Sequence, residues 1–156
     1  MLDHLAAHLS GKVIILGIGN SLRSDDAAGS LLAQRLSGKL AYTVYDSGPT
    51  PENYLGKIIR EKPDNIVIID SADFGGKPGE FRVVEGESFR TDNLFFTHNT
   101  SLTVVINYLK NSLKADIIIL IIQPKSVHFS DELSADVSDT LKYLEGWFHE
   151  QGKKQG

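Results

Sequence analysis

The chain has 156 residues, of which 41% are hydrophobic and 23% charged, a composition typical of one folded domain. Sixteen Lys and Arg against twenty Asp and Glu give a net charge of −4, and no basic cluster marks a nucleic-acid binder. The sequence has no cysteine, which excludes disulfides, thiolate metal sites and cysteine nucleophiles.

The chain shows no sign of a membrane span or a secretory signal. Its longest apolar run, Ile117–Ile122, is too short to cross a bilayer, and no membrane insertion is expected. Residues 1–11 lack the basic and apolar regions of a signal peptide. We therefore expect a cytoplasmic protein with an N-terminal extension over residues 1–11, one catalytic domain over residues 12–150 and a disordered tail over residues 151–156.

Apolar runs alternate with helical patterns along the chain. Three runs are apolar throughout, as in strands buried on both faces, one is short, and one alternates weakly, as an edge strand does. In chain order, the predicted strands are Val13–Ile18, Tyr42–Tyr45, Asn65–Ile69, Glu80–Val84 and Asp116–Ile122. Predicted helices begin near Asp26, Pro51, Thr97 and Ser134. This alternation predicts an α/β three-layer sandwich, with an open, mostly parallel sheet of about five strands, one antiparallel edge strand and helices on both faces.

In such sheets, ligands bind outside the carboxyl ends of the strands. The loops predicted at that edge carry carboxylates and one imidazole: Asp25, Asp26, Asp46, Asp70, Asp73 and His98. Oxygen and nitrogen ligands of this kind suit a borderline divalent metal, and they also suit acid–base catalysis.

Each of these residues also has an ordinary structural interpretation. Asp25 and Asp26 open a helix, where carboxylates are favoured, and Asp25 could be wholly structural. Asp70 ends an apolar strand, where a buried carboxylate is costly unless it is paired or ligated. Asp46 and Asp73 lie in turn-rich segments. His4, His8, His128 and His149 have no partner in the pattern and are expected to be surface or packing residues.

The segment Gly17-Ile-Gly19 lacks the third glycine of a dinucleotide-binding fingerprint, because position 22 is Leu22. Its glycines are instead expected to let the chain turn sharply.

Two classes of protein remain on these grounds. One is a metal-linked hydrolase built on Asp26, Asp70 and His98. The other is a phosphoacceptor domain like the response-regulator receivers, using Asp26, Asp70, Thr97 and Lys125. The six residues Gly19–Ser24 between the first strand and the acidic pair count against the second class.

The segment Gly17–Gly29, GIGNSLRSDDAAG, resembles the [NiFe]-hydrogenase maturation endopeptidases. Six further segments resemble the family in the same order: 47–53, 68–73, 78–80, 97–99, 122–124 and 144–147. The resemblance spans about residues 12–148 and indicates the type that processes the large subunit of formate-hydrogenlyase-like hydrogenases.

The resemblance implies an endopeptidase that removes a short C-terminal extension from the hydrogenase large-subunit precursor after nickel insertion. Asp26, Asp70 and His98 match the metal-contacting positions of the family, and Asp73 and Asn99 are expected to orient ligands or contact substrate. The nickel would come with the substrate, so no tightly bound cofactor is expected. Either the ion or a carboxylate, Asp26 or Asp70, would activate the water.

Overall fold

The structure is a computed structural model that describes residues 1–88, 95–96 and 102–153. The strands are β1 Val13–Gly17, β2 Thr43–Asp46, β3 Asn65–Asp73, β4 Phe81–Glu85, β5 Phe95–Phe96 and β6 Asp116–Ile122. The α-helices are α1 Leu2–Ala6, α2 Ala28–Leu36, α3 Leu55–Glu61, α4 Leu102–Ser112 and α5 Ala135–Gln151. Short 3-10 turns cover Ser24–Ala27, Pro51–Tyr54 and Gly86–Ser88.

Within the described ranges, five strands form one path in the order β2-β1-β3-β6-β4, and β5 pairs with the end of β3. The β1–β2, β1–β3 and β3–β6 pairs are parallel, whereas β4 runs antiparallel to β6 at the edge. The strand order reverses between β1 and β3, because the chain first adds β2 on one side and then β3 on the other. That gap is the topological switch point, where open α/β sheets bind their ligands.

Helices cover both faces of the sheet, because successive side chains of each central strand enter different cores. Val13 and Ile15 of β1 pack in the core that α1, α2 and α5 share, and Ile14 and Leu16 pack in the core beneath α3 and α4. The continuous apolar runs of the sequence follow from this double burial. The α4 stripe is buried as predicted; it consists of Leu102, Val105, Ile106 and Leu109.

The predicted fold class is confirmed, including the antiparallel edge strand near Glu80–Val84. The strand that was expected to end at Ile69 continues to Asp73, so Asp70 lies inside β3, opposite Ile121 of β6. A carboxylate inside a buried strand has a high desolvation cost unless it is paired or ligated. This end of the sheet is therefore a candidate for a functional site.

Both ends of the chain are more structured than the sequence indicated. Residues 1–11 include α1, whose Leu5 is fully buried against the sheet. Helix α5 runs to Gln151, and Gly152 accepts a hydrogen bond from the Ala41 backbone N–H at 2.9 Å. The expected disordered tail was therefore wrong for residues 151–153, because the last turn of α5 packs against the segment before β2; residues 154–156 lie outside the described part.

No helix in the described part of the chain is long and apolar enough to cross a membrane.

Candidate active site

The link from β1 to α2 passes unusually close to the strand ends. A Cβ on Gly29 of α2 would lie 2.2 Å from the Ile69 carbonyl oxygen, and one on Gly19 would lie 2.5 Å from the Asp26 carbonyl oxygen. None of Gly17, Gly19 and Gly29 has a positive φ, so a left-handed backbone conformation is not what requires glycine at these positions. These glycines are needed because backbone packs directly on backbone, which places the start of α2 against β1 and β3.

Asp26 lies in the 3-10 turn that leads into α2 and has no solvent exposure. One of its carboxylate oxygens, Oδ1, accepts a hydrogen bond from Ser71 Oγ at 3.2 Å. Its backbone carbonyl accepts from the Asn20 N–H at 3.2 Å, which closes the loop after β1 around it. Asp26 is thereby held at the switch point, beside the end of β3.

Asp70 also has no solvent exposure, and its Oδ1 accepts the Ser71 backbone N–H at 2.8 Å. Ser71 therefore contacts both carboxylates, Asp70 through its backbone and Asp26 through its hydroxyl. Sequence reasoning did not single out Ser71, although its place directly after Asp70 in the same strand was visible. Two buried carboxylates in one corner of a protein favour the binding of a cation, because like charges in a medium of low polarity repel strongly.

Asp25, the other half of the acidic pair, has a structural role. Its carboxylate is fully buried and accepts from the backbone N–H groups of Lys125, Ser126 and Ser134 and from Ser134 Oγ. Every one of these donors follows β6. Asp25 thus fastens the loop after β1 to the segment between β6 and α5, while Asp26 turns toward Ser71.

Asp46 ends β2 and takes part in a local network. It accepts hydrogen bonds from Ser30 Oγ at 2.5 Å, Gln34 Nε2 at 2.8 Å and the Gly48 backbone N–H at 3.0 Å. These contacts tie β2 to α2, which explains a carboxylate at this position without any catalytic role.

Asp73 is exposed at the end of β3 and holds the loop that follows it. It accepts from the Gly75 backbone N–H at 2.9 Å and from Gln123 Nε2 at 3.0 Å. Gln123 Oε1 in turn accepts from the backbone N–H groups of Phe74 and Gly76. The Gly75 N–H first, and the Gln123 amide second, lower the pKa of Asp73 by stabilising its charged form.

The other predicted residues fall in two groups. His98, Asn99 and Thr97 lie outside the described residues, so the expected cluster of Asp26, Asp70 and His98 stays a prediction. Lys125 is described, and its Nζ lies 3.8 Å from Asp136 Oδ2 on α5, with both side chains more than half exposed.

Comparison with known proteins identifies relatives of this chain and of its fold. The sequence model of HycI, a hydrogenase maturation protease, matches residues 27–147. The hydrogenase 3 maturation protease of Escherichia coli strain K12 is 34% identical over 140 residues, which are 86% of this chain and 89% of the relative. A putative hydrogenase maturation protease of Methanocaldococcus jannaschii is 33% identical over 129 residues, 76% of this chain and 75% of the relative.

Solved structures agree with the sequence relatives. The crystal structure of the [NiFe] hydrogenase maturation protease HycI from Thermococcus kodakarensis KOD1 superposes with a TM-score of 0.83 at 33% identity, over 95% of this chain and 97% of that one. A crystal structure of a hydrogenase 3 maturation protease gives a TM-score of 0.76 at 30% identity, over 89% of this chain and 90% of that one.

The chain has a doubly wound α/β fold, and the buried carboxylates of Asp26 and Asp70 lie beside the switch point between β1 and β3. Since the family match covers most of the sequence, the chain belongs to the hydrogenase maturation protease family and is a peptidase of that class. The phosphoacceptor alternative is not favoured by any of these relatives.

Proposed function

We propose that this peptidase removes the C-terminal extension of a [NiFe]-hydrogenase large-subunit precursor after nickel has been inserted, and that it recognises the nickel held by the precursor. The observation that carries the proposal is the double contact of Ser71, which donates to Asp70 at 2.8 Å and to Asp26 at 3.2 Å. This double contact supports the proposal because it links Asp26 and Asp70, two carboxylates without solvent exposure, through one residue. The names of the relatives supply the substrate class.

The donor set suits a metal that arrives with the substrate. Carboxylate oxygens from Asp26 and Asp70, with the imidazole of His98, would give a divalent ion of the nickel type three ligands from this chain. Such an ion takes more than three ligands, so the precursor can keep its own ligands on it. We expect a partial site of this kind to bind the nickel-loaded precursor and to bind free nickel only weakly.

The ion would supply polarisation of the scissile carbonyl or of the attacking water. Asp26 and Asp70 are the candidates for the general base that accepts the proton of that water. As the water oxygen bonds to the carbonyl carbon, the C–N bond breaks and the proton passes to the leaving amine. Ser71 would fix the orientation of both carboxylates, and Asp73 and Asn99 remain candidates for contact with substrate.

The test uses purified precursor, with and without nickel, mixed with the tag-free protein. We expect cleavage of the nickel-loaded precursor only, and loss of cleavage in Asp26→Asn, Asp70→Asn and His98→Ala. Asp46→Asn is the matched control, because Asp46 also stands at a strand end of the same sheet edge but bonds to Ser30, Gln34 and Gly48. Equal cleavage of both precursors would reject nickel recognition, and normal cleavage by Asp70→Asn would reject the site.

A further inference from the structure

A second group of metal-type ligands lies far along the sheet from the switch point. His4 in α1 and His8, one turn later, both direct Nε2 at Glu85 Oε1 of β4, at 2.5 and 3.1 Å. The three ligand atoms lie within 4.8 Å of one another. His4 lies at the surface and His8 is largely buried, in line with their expected surface or packing roles, but their shared contact with Glu85 depends on α1 packing beside β4, which the sequence did not indicate.

His8 has a second contact, which orients its ring. Asn65 Nδ2 donates to the Ser10 carbonyl oxygen at 2.8 Å, so the Asn65 atom that lies 3.3 Å from His8 Nδ1 is its carbonyl oxygen. This contact leaves the other ring nitrogen, Nε2, directed at Glu85 Oε1, 3.1 Å away.

Metal-ligating histidines usually have the ring nitrogen that does not bind the metal held by a carbonyl, a carboxylate or water, and Asn65 holds Nδ1 of His8 in this way. The position is open to solvent, because His4 is 52% and Glu85 38% exposed, whereas His8 is 15% exposed and firmly held. His8 and Glu85 also line a cleft with Lys110 and the carboxylates of Glu87 and Asp116.

We propose that His4, His8 and Glu85 bind one Zn²⁺ ion per chain, at a site separate from the proposed active site. Two imidazoles and one carboxylate, with a position left for water, are a zinc donor set, and the same donors accept other late first-row divalent ions. The bound ion would clamp α1 and the residues after it to the end of β4. The site would also capture free nickel added to the protein, a binding event unrelated to precursor recognition.

The test is equilibrium dialysis of tag-free protein against Zn²⁺, with the metal content measured by atomic emission. We expect one Zn²⁺ per chain and a rise in the thermal midpoint with added Zn²⁺. His4→Gln and Glu85→Gln should each weaken binding by at least about 10-fold and remove the rise in midpoint. His4 is half exposed, so its variant should keep the fold, which circular dichroism checks.

Two controls separate this site from others. His149→Gln removes an imidazole that also faces a carboxylate, with Nε2 3.8 Å from Glu145 Oε2. Among the described residues His149 belongs to no group of three metal-type ligands, so the variant should leave Zn²⁺ binding intact. The double variant Asp26→Asn with Asp70→Asn should also keep full stoichiometry. Absence of bound Zn²⁺, or equal binding by His4→Gln and Glu85→Gln, would show that the cluster is only a pair of histidine–glutamate contacts.

Discussion

Asp25 and Ser134 are joined by two hydrogen bonds of 2.8 Å although 109 residues of sequence separate them. The Ser134 backbone N–H donates to one carboxylate oxygen of Asp25 and its hydroxyl donates to the other. The same hydroxyl accepts the Val137 N–H and so caps α5. One serine thus begins the last helix and holds the loop that carries Asp26, which links the stability of α5 to the geometry of the proposed site.

Asp25→Asn should lower the free energy of unfolding by about 3 kcal/mol, because buried donors lose a charged acceptor and face an amide NH₂ group instead. Ser134→Ala should lower it by about 1–2 kcal/mol through loss of one bond to Asp25 and of the helix cap. Urea unfolding followed by circular dichroism measures both. The double variant should lose less than the sum of the two single losses, since the residues share bonds; strict additivity would contradict the coupling.

Gly29→Ala should destabilise the protein by about 2–3 kcal/mol, because its Cβ would lie 2.2 Å from the Ile69 carbonyl oxygen and 2.4 Å from that of Ile18. Gly146→Ala is the matched control in α5, where a Cβ would meet nothing within 4 Å. That substitution should stabilise the helix by about 0.5–1 kcal/mol. Thermal unfolding of the two variants should therefore move in opposite directions, and a harmless Gly29→Ala would contradict the close packing of α2.

The central strands could be predicted from the sequence because they are buried on both faces and are therefore largely apolar. The run Ile117–Ile122 has no polar side chain, which is typical of a central strand. The weak alternation near Glu80–Val84 indicated the edge strand. The N-terminal helix escaped prediction because α1 has only five residues, too few for a periodic pattern. Its position depends on tertiary packing of Leu5, which no local pattern reports.

The candidate active site was harder to predict from the sequence than the sheet, because neighbouring acidic residues have the same local chemistry. Asp25 and Asp26 both open a helix in sequence, and only the segment after β6, about 100 residues away, takes Asp25 out of the site. Ser71 was missed since a serine in a strand has no chemical signature. The positions of Asp26 and Asp70 at predicted strand ends indicated both residues, and the resemblance agreed, whereas the His4–His8–Glu85 cluster belongs to no motif and depends on tertiary packing.

Ser71→Ala should slow precursor cleavage by about 10-fold, because Asp26 loses the hydroxyl that orients its carboxylate. Its backbone bond to Asp70 survives the substitution, so the fold should change little. Ser47→Ala is the matched control: it removes a buried hydroxyl that donates to the Gly17 carbonyl oxygen at 2.8 Å at a neighbouring strand end. Single-turnover cleavage assays compare the two. Equal effects of the two variants on the rate would assign Ser71 a structural role alone.

Asp73 should make the protein less stable in acid. Its pKa is lowered in the folded state by the Gly75 N–H and by Gln123, so the folded protein binds fewer protons here than the unfolded chain does. The resulting stability is present above the ordinary aspartate pKa of 3.8 and is lost as the pH falls through the lowered folded value.

Asp73→Asn cannot titrate, so its urea midpoint should fall less than that of the wild type between about pH 5 and pH 2.5. The effect should be modest because Asp73 is exposed to solvent. Parallel midpoint curves for the two proteins over this range would show that the Asp73–Gln123 contact does not hold the loop after β3 in solution.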